Sequence, residues 1–228
     1  MIAKKKRGRP RGFDVEQAIA MAMDLFHRHG YDGVGVAELS KTIGITAPSL
    51  YSAFGSKREL FEQVLQRYVR GDGCWLPKAL AIGDTLEAAI FNLFVQAAEN
   101  YAANPEKPGC LVMDSTRNCN DAEVQSITTS FRDMTRQLIC DRITTSELNL
   151  TESQVDLLAN YTVMILVGLS GSARDGMNAH ALKATAEIAA TGFVRQLEQY
   201  YEVENNVSPG CVAKTDTVKL VNRGWQGR

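Results

Sequence analysis

Residues 36–57, VAELSKTIGITAPSLYSAFGSK, decide the fold. Ala37, Leu39, Ile43, Ile45, Leu50 and Phe54 fall where two short helices joined by a tight turn would lock together. Gly44 is the turn residue, since glycine accepts a positive φ without steric cost. Thr46 is a good N-cap for the second helix, its hydroxyl accepting from backbone N–H groups of the next turn. Pro48 falls in that first turn, where its missing N–H has no helical partner to lose. The second helix leaves Thr46, Ala47, Ser49, Tyr51 and Ser52 exposed, all but the tyrosine small. Such a surface can approach base edges and phosphates, and the pattern reads as a helix-turn-helix whose second helix lies in a DNA major groove.

Working outward, a helix is expected from about residue 14 to 29, with Val15, Ala18, Ile19, Ala22, Leu25 and Phe26 inward and Gly30 as its stop. His27 and His29 are two apart and point to different sides, so they read as surface or packing residues rather than a metal pair. Gly35 stands at the N-cap of the next helix. Downstream, Ser56 and Glu59 form an S-x-x-E capping box ahead of Leu60, Phe61, Val64 and Leu65. Lys57 and the free N–H groups of that helix start make an anion site suited to a phosphate. Residues 1–12, MIAKKKRGRPRG, are an arm without helical period. Its Arg9 and Arg11 sit beside Gly and Pro, which suits insertion into a narrow minor groove, while its lysines suit phosphates.

Charge follows the same division. Residues 1–70 carry 12 Lys/Arg against 7 Asp/Glu, and residues 71–228 carry 13 against 19, which hides inside a net −1. A basic end on an acidic body points to one face made for a polyanion. The five cysteines (74, 110, 119, 140, 211) are odd in number and lack a CxxC, so reduced thiols in a cytoplasmic protein fit better than a disulfide scaffold. No apolar run is expected to approach the roughly 18 residues of a membrane span, so no membrane partner is expected. GLSGS at 168–172 is not the G-x-S-x-G nucleophile elbow, no S-x-x-K occurs, and no glycine-rich phosphate loop follows a strand pattern. No catalytic residue and no cofactor is therefore expected.

The remaining chain is helical by period. Residues 71–83 read as a connection with at most a helical turn near Trp75. From Asp84 a helix places Leu86, Ile90, Leu93, Phe94, Ala97 and Tyr101 on its apolar side, until Pro105 and Pro108. A short helix is expected within 109–118, then a long one capped by Asp121 to about residue 147, with Val124, Ile127, Phe131, Met134, Leu138 and Ile139 inward. Thr151 and Gln154 open the next, and a final helix runs from 178 or 179 to about 201. Residues 203–228 are polar and without clear period, a tail expected to lack fixed structure.

The run GRPRGFDVEQAIAMAMDLFHRHGYDGVGVAELSKTIGITAPSLYSAFGSKRELFEQVL resembles the N-terminal domain of TetR/AcrR-type transcriptional regulators. The resemblance covers about residues 8–70, and it is most specific from Gly44 to Leu60. It implies an all-α protein with an N-terminal three-helix helix-turn-helix domain (13–70) and a larger C-terminal helical bundle (71–202) for dimerisation and ligand binding. By position, Thr46, Ala47, Pro48 and Ser49 would face bases, Tyr51 and Lys57 would contact phosphates, and Ser52 lies on the same surface. Gly35 departs from the pattern, since many relatives carry a hydroxyl there. The implied function is a ligand-responsive regulator, a repressor that binds a palindromic operator in double-stranded DNA as a homodimer and is released by a small-molecule effector.

Two further sets of residues are candidates. Phe91, Phe94, Tyr101, Cys110, Met113, Arg117, Phe131, Met134, Tyr161 and Met164 could line an effector pocket, since Met and aromatic side chains suit adaptable apolar binding, although they also suit plain core. Small residues in the last two long helices let them cross closely, so Gly168, Gly171, Ser172, Ala186, Ala189 and Ala190, with Phe193, are candidates for a two-fold dimer interface, intramolecular packing being the alternative. Alternative functions are thiol or electrophile sensing through Cys110 or Cys119, activated by Arg117, and metal sensing through Cys110, Cys119 and His180. An alternative of another class is a helical small-molecule carrier that does not bind DNA.

Overall fold

The computed structural model describes residues 13–206. The arm of 1–12, with Arg9 and Arg11, and residues 207–228 of the expected tail lie outside the described residues. Ten helices and no strand occur among the described residues. The first four form a head: α1 (Val15–His29), α2 (Val36–Ile43), α3 (Ala47–Phe54) and α4 (Lys57–Arg70). Asp14 Oδ1 accepts from the N–H groups of Glu16 (2.8 Å) and Gln17 (3.3 Å), which satisfies two of the donors that a helix start leaves open. Inside the head, Phe26 meets Phe61 edge to face at 5.1 Å and stacks on Tyr31 at 5.9 Å, with Leu39, Leu50, Leu60 and Val64 buried beside them.

Ala37, expected inward, is exposed. It lies roughly a third of a turn from the α2 face centred on Leu39, Ser40 and Ile43, and Val34 in the preceding loop is buried instead. The Ser56–Glu59 pair forms half of the expected box. Ser56 Oγ accepts from the Glu59 N–H at 3.1 Å, but the Glu59 carboxylate folds over Gly55, whose φ of 84° favours glycine.

The body begins with α5 (Trp75–Ala81), a helix of two turns in the stretch expected to be a connection with a helical turn near Trp75. It buries Leu76, Ala79 and Leu80, and Pro77 is tolerated because it falls in the first turn. α6 (Leu86–Ala102) runs through the centre, with Leu86, Ile90, Leu93, Phe94, Ala97 and Tyr101 all buried. Next come the one-turn α7 (Leu111–Asp114), α8 (Ala122–Thr144), α9 (Glu152–Arg174) and α10 (Ala179–Asn206), with α7 packed against α4, α8 and α9. On α8, Met134 and Leu138 face outward rather than inward. The buried face takes Thr128 instead, whose hydroxyl lies 2.8 Å from that of Thr116, so apolarity alone misjudges which side packs. α10 continues to residue 206, beyond the expected end near 201.

α9 also corrects the expectation about apolar runs, because by length and composition it is long and apolar enough to cross a membrane. In the fold its inner face, with Leu158, Leu166 and Leu169, is buried against the neighbouring helices of the body.

Candidate nucleic-acid interface

The α3 surface is set by two caps. Gly44 takes φ 77° and turns the chain out of α2, and Thr46 Oγ1 accepts from the Ser49 N–H to start α3. Leu50 and Phe54 then face the core, which leaves Thr46, Pro48, Ser49, Tyr51 and Ser52 exposed and Ala47 half-buried. The hydroxyls of Thr46 and Ser49 lie 2.9 Å apart at the open end of the helix, so each can give up the other for a base edge or a phosphate oxygen. The surface has the size and polarity to enter a major groove.

Lys57 behaves differently from the free phosphate ligand that the sequence suggests. Its Nζ stands 3.9 Å from the centre of the Tyr31 ring, and burial there lowers its pKa from the ordinary lysine value. Its neighbour Arg58 pairs with Glu123 at the start of α8. One of these cations is thus held on the head and the other reaches the body.

Head and body meet along a seam built mainly by residues 107–119. The Tyr31 N–H donates to the Ser115 carbonyl at 2.8 Å, and His27 Nε2 lies 3.2 Å from the Gly109 carbonyl. Lys107 pairs with Asp24 at 2.6 Å. At the end of α9, Arg174 donates from Nε to Asp114 (2.9 Å) and from Nη1 to the His27 carbonyl (2.9 Å). The Asp114 side chain, 1% exposed, also holds Arg117 at 2.8 Å. Gly109 takes φ 80° here, with the Ser170 carbonyl oxygen only 2.8 Å from where a Cβ would sit. Beyond Cys110, Met113, Arg117 and Cys119, the seam holds no residue expected as a site, because its members come from α1, α7, α9 and the loops beside them and share no period.

Residues 18–64 match the profile of a family described as bacterial regulatory proteins, tetR family. The HTH-type transcriptional repressor BdcR of Escherichia coli (strain K12) is 33% identical over 202 residues, which are 87% of this chain and all of that protein. The chain belongs to the TetR family. The HTH-type transcriptional repressor ComR of the same organism is 30% identical over 195 residues, 82% of this chain and 91% of that one. Among solved structures, a cysteine-substituted form of the TetR family regulator CifR bound to 26-base-pair double-strand operator DNA is similar with a TM-score of 0.74 and 28% identity. That likeness covers 80% of this chain and 98% of CifR. This TetR-family protein is accordingly a helix-turn-helix DNA-binding transcriptional regulator, and the carrier alternative falls away.

In this TetR-family chain none of the described cavities is lined by all ten residues expected at an effector. Phe91, Met134 and Met164 are exposed. Phe94 and Tyr161 meet at 6.4 Å, and Tyr161 meets Phe193 at 6.4 Å, as a packed cluster. Phe131 and Cys110 are buried in the core. Met113 and Arg117 line one cavity of about 300 Å³ beside Thr128 and Arg132, and Tyr101 lines another of about 300 Å³ between head and body.

The small residues are likewise divided. Gly168 is exposed and Ser172 half-exposed on α9, but Ala186, Ala189, Ala190 and Phe193 are buried within the protomer where α10 crosses α6. From α9, Tyr161 donates its hydroxyl to the Ala189 carbonyl of α10 at 2.8 Å. Gly171 is buried under the Arg117 guanidinium, which a Cβ there would displace. Intramolecular packing is thus the role of these five.

The thiol alternative meets a similar correction. Arg117 is held by Asp114, and burial raises the pKa of Cys110 and of Cys119, which weakens rather than enhances thiolate formation. Cys119 Sγ also donates to Asp32 at 3.5 Å. Among the described residues no three His, Cys, Asp or Glu side chains converge on a metal position, so Cys110, Cys119 and His180 do not form the site suggested for them.

Proposed function

We propose that the protein is a homodimeric repressor, working in the cytoplasm, that binds a palindromic operator and is released by a small-molecule effector. In this reading residues 13–70 read DNA, and residues 71–202 dimerise and respond to the effector. Thr46, Ala47, Pro48 and Ser49 face bases, with Tyr51, Ser52 and Lys57 toward phosphates. The observation that carries the reading is the α3 surface, a row of small and hydroxylated side chains left exposed while Leu50 and Phe54 turn into the core. BdcR and ComR, both named repressors, support the direction of regulation.

Dimerisation has its own support. Leu157 (59% exposed) and Met164 (70%) on α9 and Ile188 (72%) on α10 leave large apolar side chains in water on the two longest adjacent helices. Exposed apolar faces of this kind mark interaction sites, and a pair of helices that meets its own copy about a two-fold axis covers both faces at once. Two heads held in that way would enter successive major grooves about 34–36 Å apart. An effector releases DNA only if it binds one head–body arrangement better than the other. Catalysis forms no part of this reading.

The test is selection of bound fragments from the organism's own genome, followed by titration of a symmetric duplex from the selected set against a scrambled one. Enrichment of an inverted repeat and preference for the symmetric duplex are expected. Equal affinity for both would sink the proposal. Ser49→Ala is expected to change which base is preferred at one position, by about 1–3 kcal/mol, whereas a loss uniform over all sequences would remove Ser49 from the base-reading set.

A further inference from the structure

The cavity of about 300 Å³ that Met113 and Arg117 line lies where α7, α8 and α9 meet. Arg132, Thr128 and Thr129 reach it from α8, and Val167 reaches it from α9. Met113 and Val167 give it an apolar wall, and no aspartate or glutamate stands in its lining. Two guanidinium groups thus share one small space without a carboxylate of the lining to answer them.

Arg132 decides the chemistry. It is half-buried, and burial lowers its pKa from the ordinary arginine value, because a cation is costly to take out of water. Among the described residues it nevertheless forms no ion pair, whereas Asp114 holds both Arg117 and Arg174. Its Nε donates to the Val112 carbonyl at 3.2 Å and its Nη2 to the Met113 carbonyl at 3.3 Å, two carbonyls that the one-turn α7 leaves open. Those bonds use one edge of the planar group. The other edge, Nη1 with the second N–H of Nη2, is left over. Nη1 bonds no described group, and unlike Nη2 of Arg174 it is not sealed from solvent. Two parallel N–H groups on one edge match the two oxygens of a carboxylate. A phosphate ion could take the same edge but has no part to lay against Met113 and Val167, so the lining favours a carboxylate that carries a short apolar tail.

We propose that this cavity binds a small aliphatic carboxylate, its oxygens on the free edge of Arg132 and its tail against Met113 and Val167. As a binding site it stands on the cavity alone; as the effector site it rests on the reading of the protein as an effector-responsive regulator. The route to the head is short. Arg132 holds α7 by its carbonyls, and Asp114 on α7 holds Arg174, which donates to the His27 carbonyl of α1. A carboxylate that binds better to one placement of Arg132 therefore biases where α7 and the head sit.

The test titrates butyrate into the full-length protein by calorimetry at constant ionic strength. Butyramide is the uncharged counterpart, inorganic phosphate is the anion without a tail, and release of operator DNA is followed separately. Saturable binding of butyrate at millimolar concentration is expected, tighter than either comparison compound by about tenfold, the size of one lost charge-assisted hydrogen bond. Arg132→Lys keeps the charge and loses the two-pronged edge, and is expected to weaken butyrate by about tenfold. Val167→Phe fills the apolar wall without removing the Arg132 bonds to α7, and is expected to abolish binding at unchanged helix content, which keeps the site testable should Arg132→Lys unfold. No saturable binding, equal binding of butyramide, tighter binding of phosphate, or unchanged affinity in either folded variant overturns the site. Butyrate that binds without changing operator affinity overturns the effector role and leaves the binding site. Butyrate binding in a protein without operator preference leaves the site standing while the regulator reading falls.

Discussion

Lys57 illustrates how one side chain can serve two partners. Its ammonium group rests over the Tyr31 ring, and Tyr31 is tied through its own N–H to Ser115 of the body, so a phosphate must compete with a contact that reports on the head–body seam. Lys57→Ala is expected to weaken binding to all duplexes alike. It should reduce the slope of log affinity against log salt by about 0.9 if one phosphate contact is lost, and an unchanged slope removes the contact. His27 gives a pH signature at the same scale. Burial lowers its pKa, so below about 6.5 the unfolded chain takes up a proton that the folded chain resists. Stability is therefore complete above that pH and lost as pH falls from it toward the depressed folded value. His27→Gln should flatten this part of a Tm profile measured from neutral to mildly acidic pH; an identical profile argues that other groups cause the loss.

At the scale of elements, the seam depends on α7, a single turn that no helical period announces. Asp114 on it sits between Arg117 and Arg174, and Arg174 is the link from α9 to the last turn of α1. Removing one member of a buried ion pair leaves the others uncompensated. Asp114→Ala is expected to cost about 2 kcal/mol, below the range for fully buried pairs because both arginines keep some solvent. Urea unfolding measures this, and a change within about 0.5 kcal/mol, typical of surface substitutions, would show that the pair contributes little. The same element explains why the joint could not be read in advance. Capping signals at Thr46, Ser56, Asp121 and Thr151 are local and legible, each oxygen bonding the N–H groups that its sequence position dictates, whereas Asp14, expected as the first residue of α1, is its cap. Arg174 finds its partners 60 and 147 residues away, a pairing that local pattern does not encode.

For the whole molecule, the exposed Leu157, Met164 and Ile188 bear on the proposed association. Ile188→Glu should place charge in the proposed two-fold contact without entering the core, giving a monomer by sedimentation and a loss of operator binding with little change in helix content. A dimer that persists would move the interface elsewhere. Exposed large apolar residues on α9 and α10 were invisible to a search for small side chains, since packing inside one protomer and packing between two both call for them.

What the sequence by itself determined is the head and its task. Its turn and its caps depend on short-range rules, in which glycine, hydroxyl and proline positions dictate backbone geometry within one or two turns. The helical character of the body was also legible from its period, down to the buried face of α6. Only the tertiary structure decided which small residues pack within the protomer, which Met and aromatic side chains face water, and which residues of α1, α4, α5 and α6 enclose a common slot. Those outcomes depend on how helices rotate against one another, and a rotation of one residue's 100° along a helix turns a wall of a cavity into part of the surface.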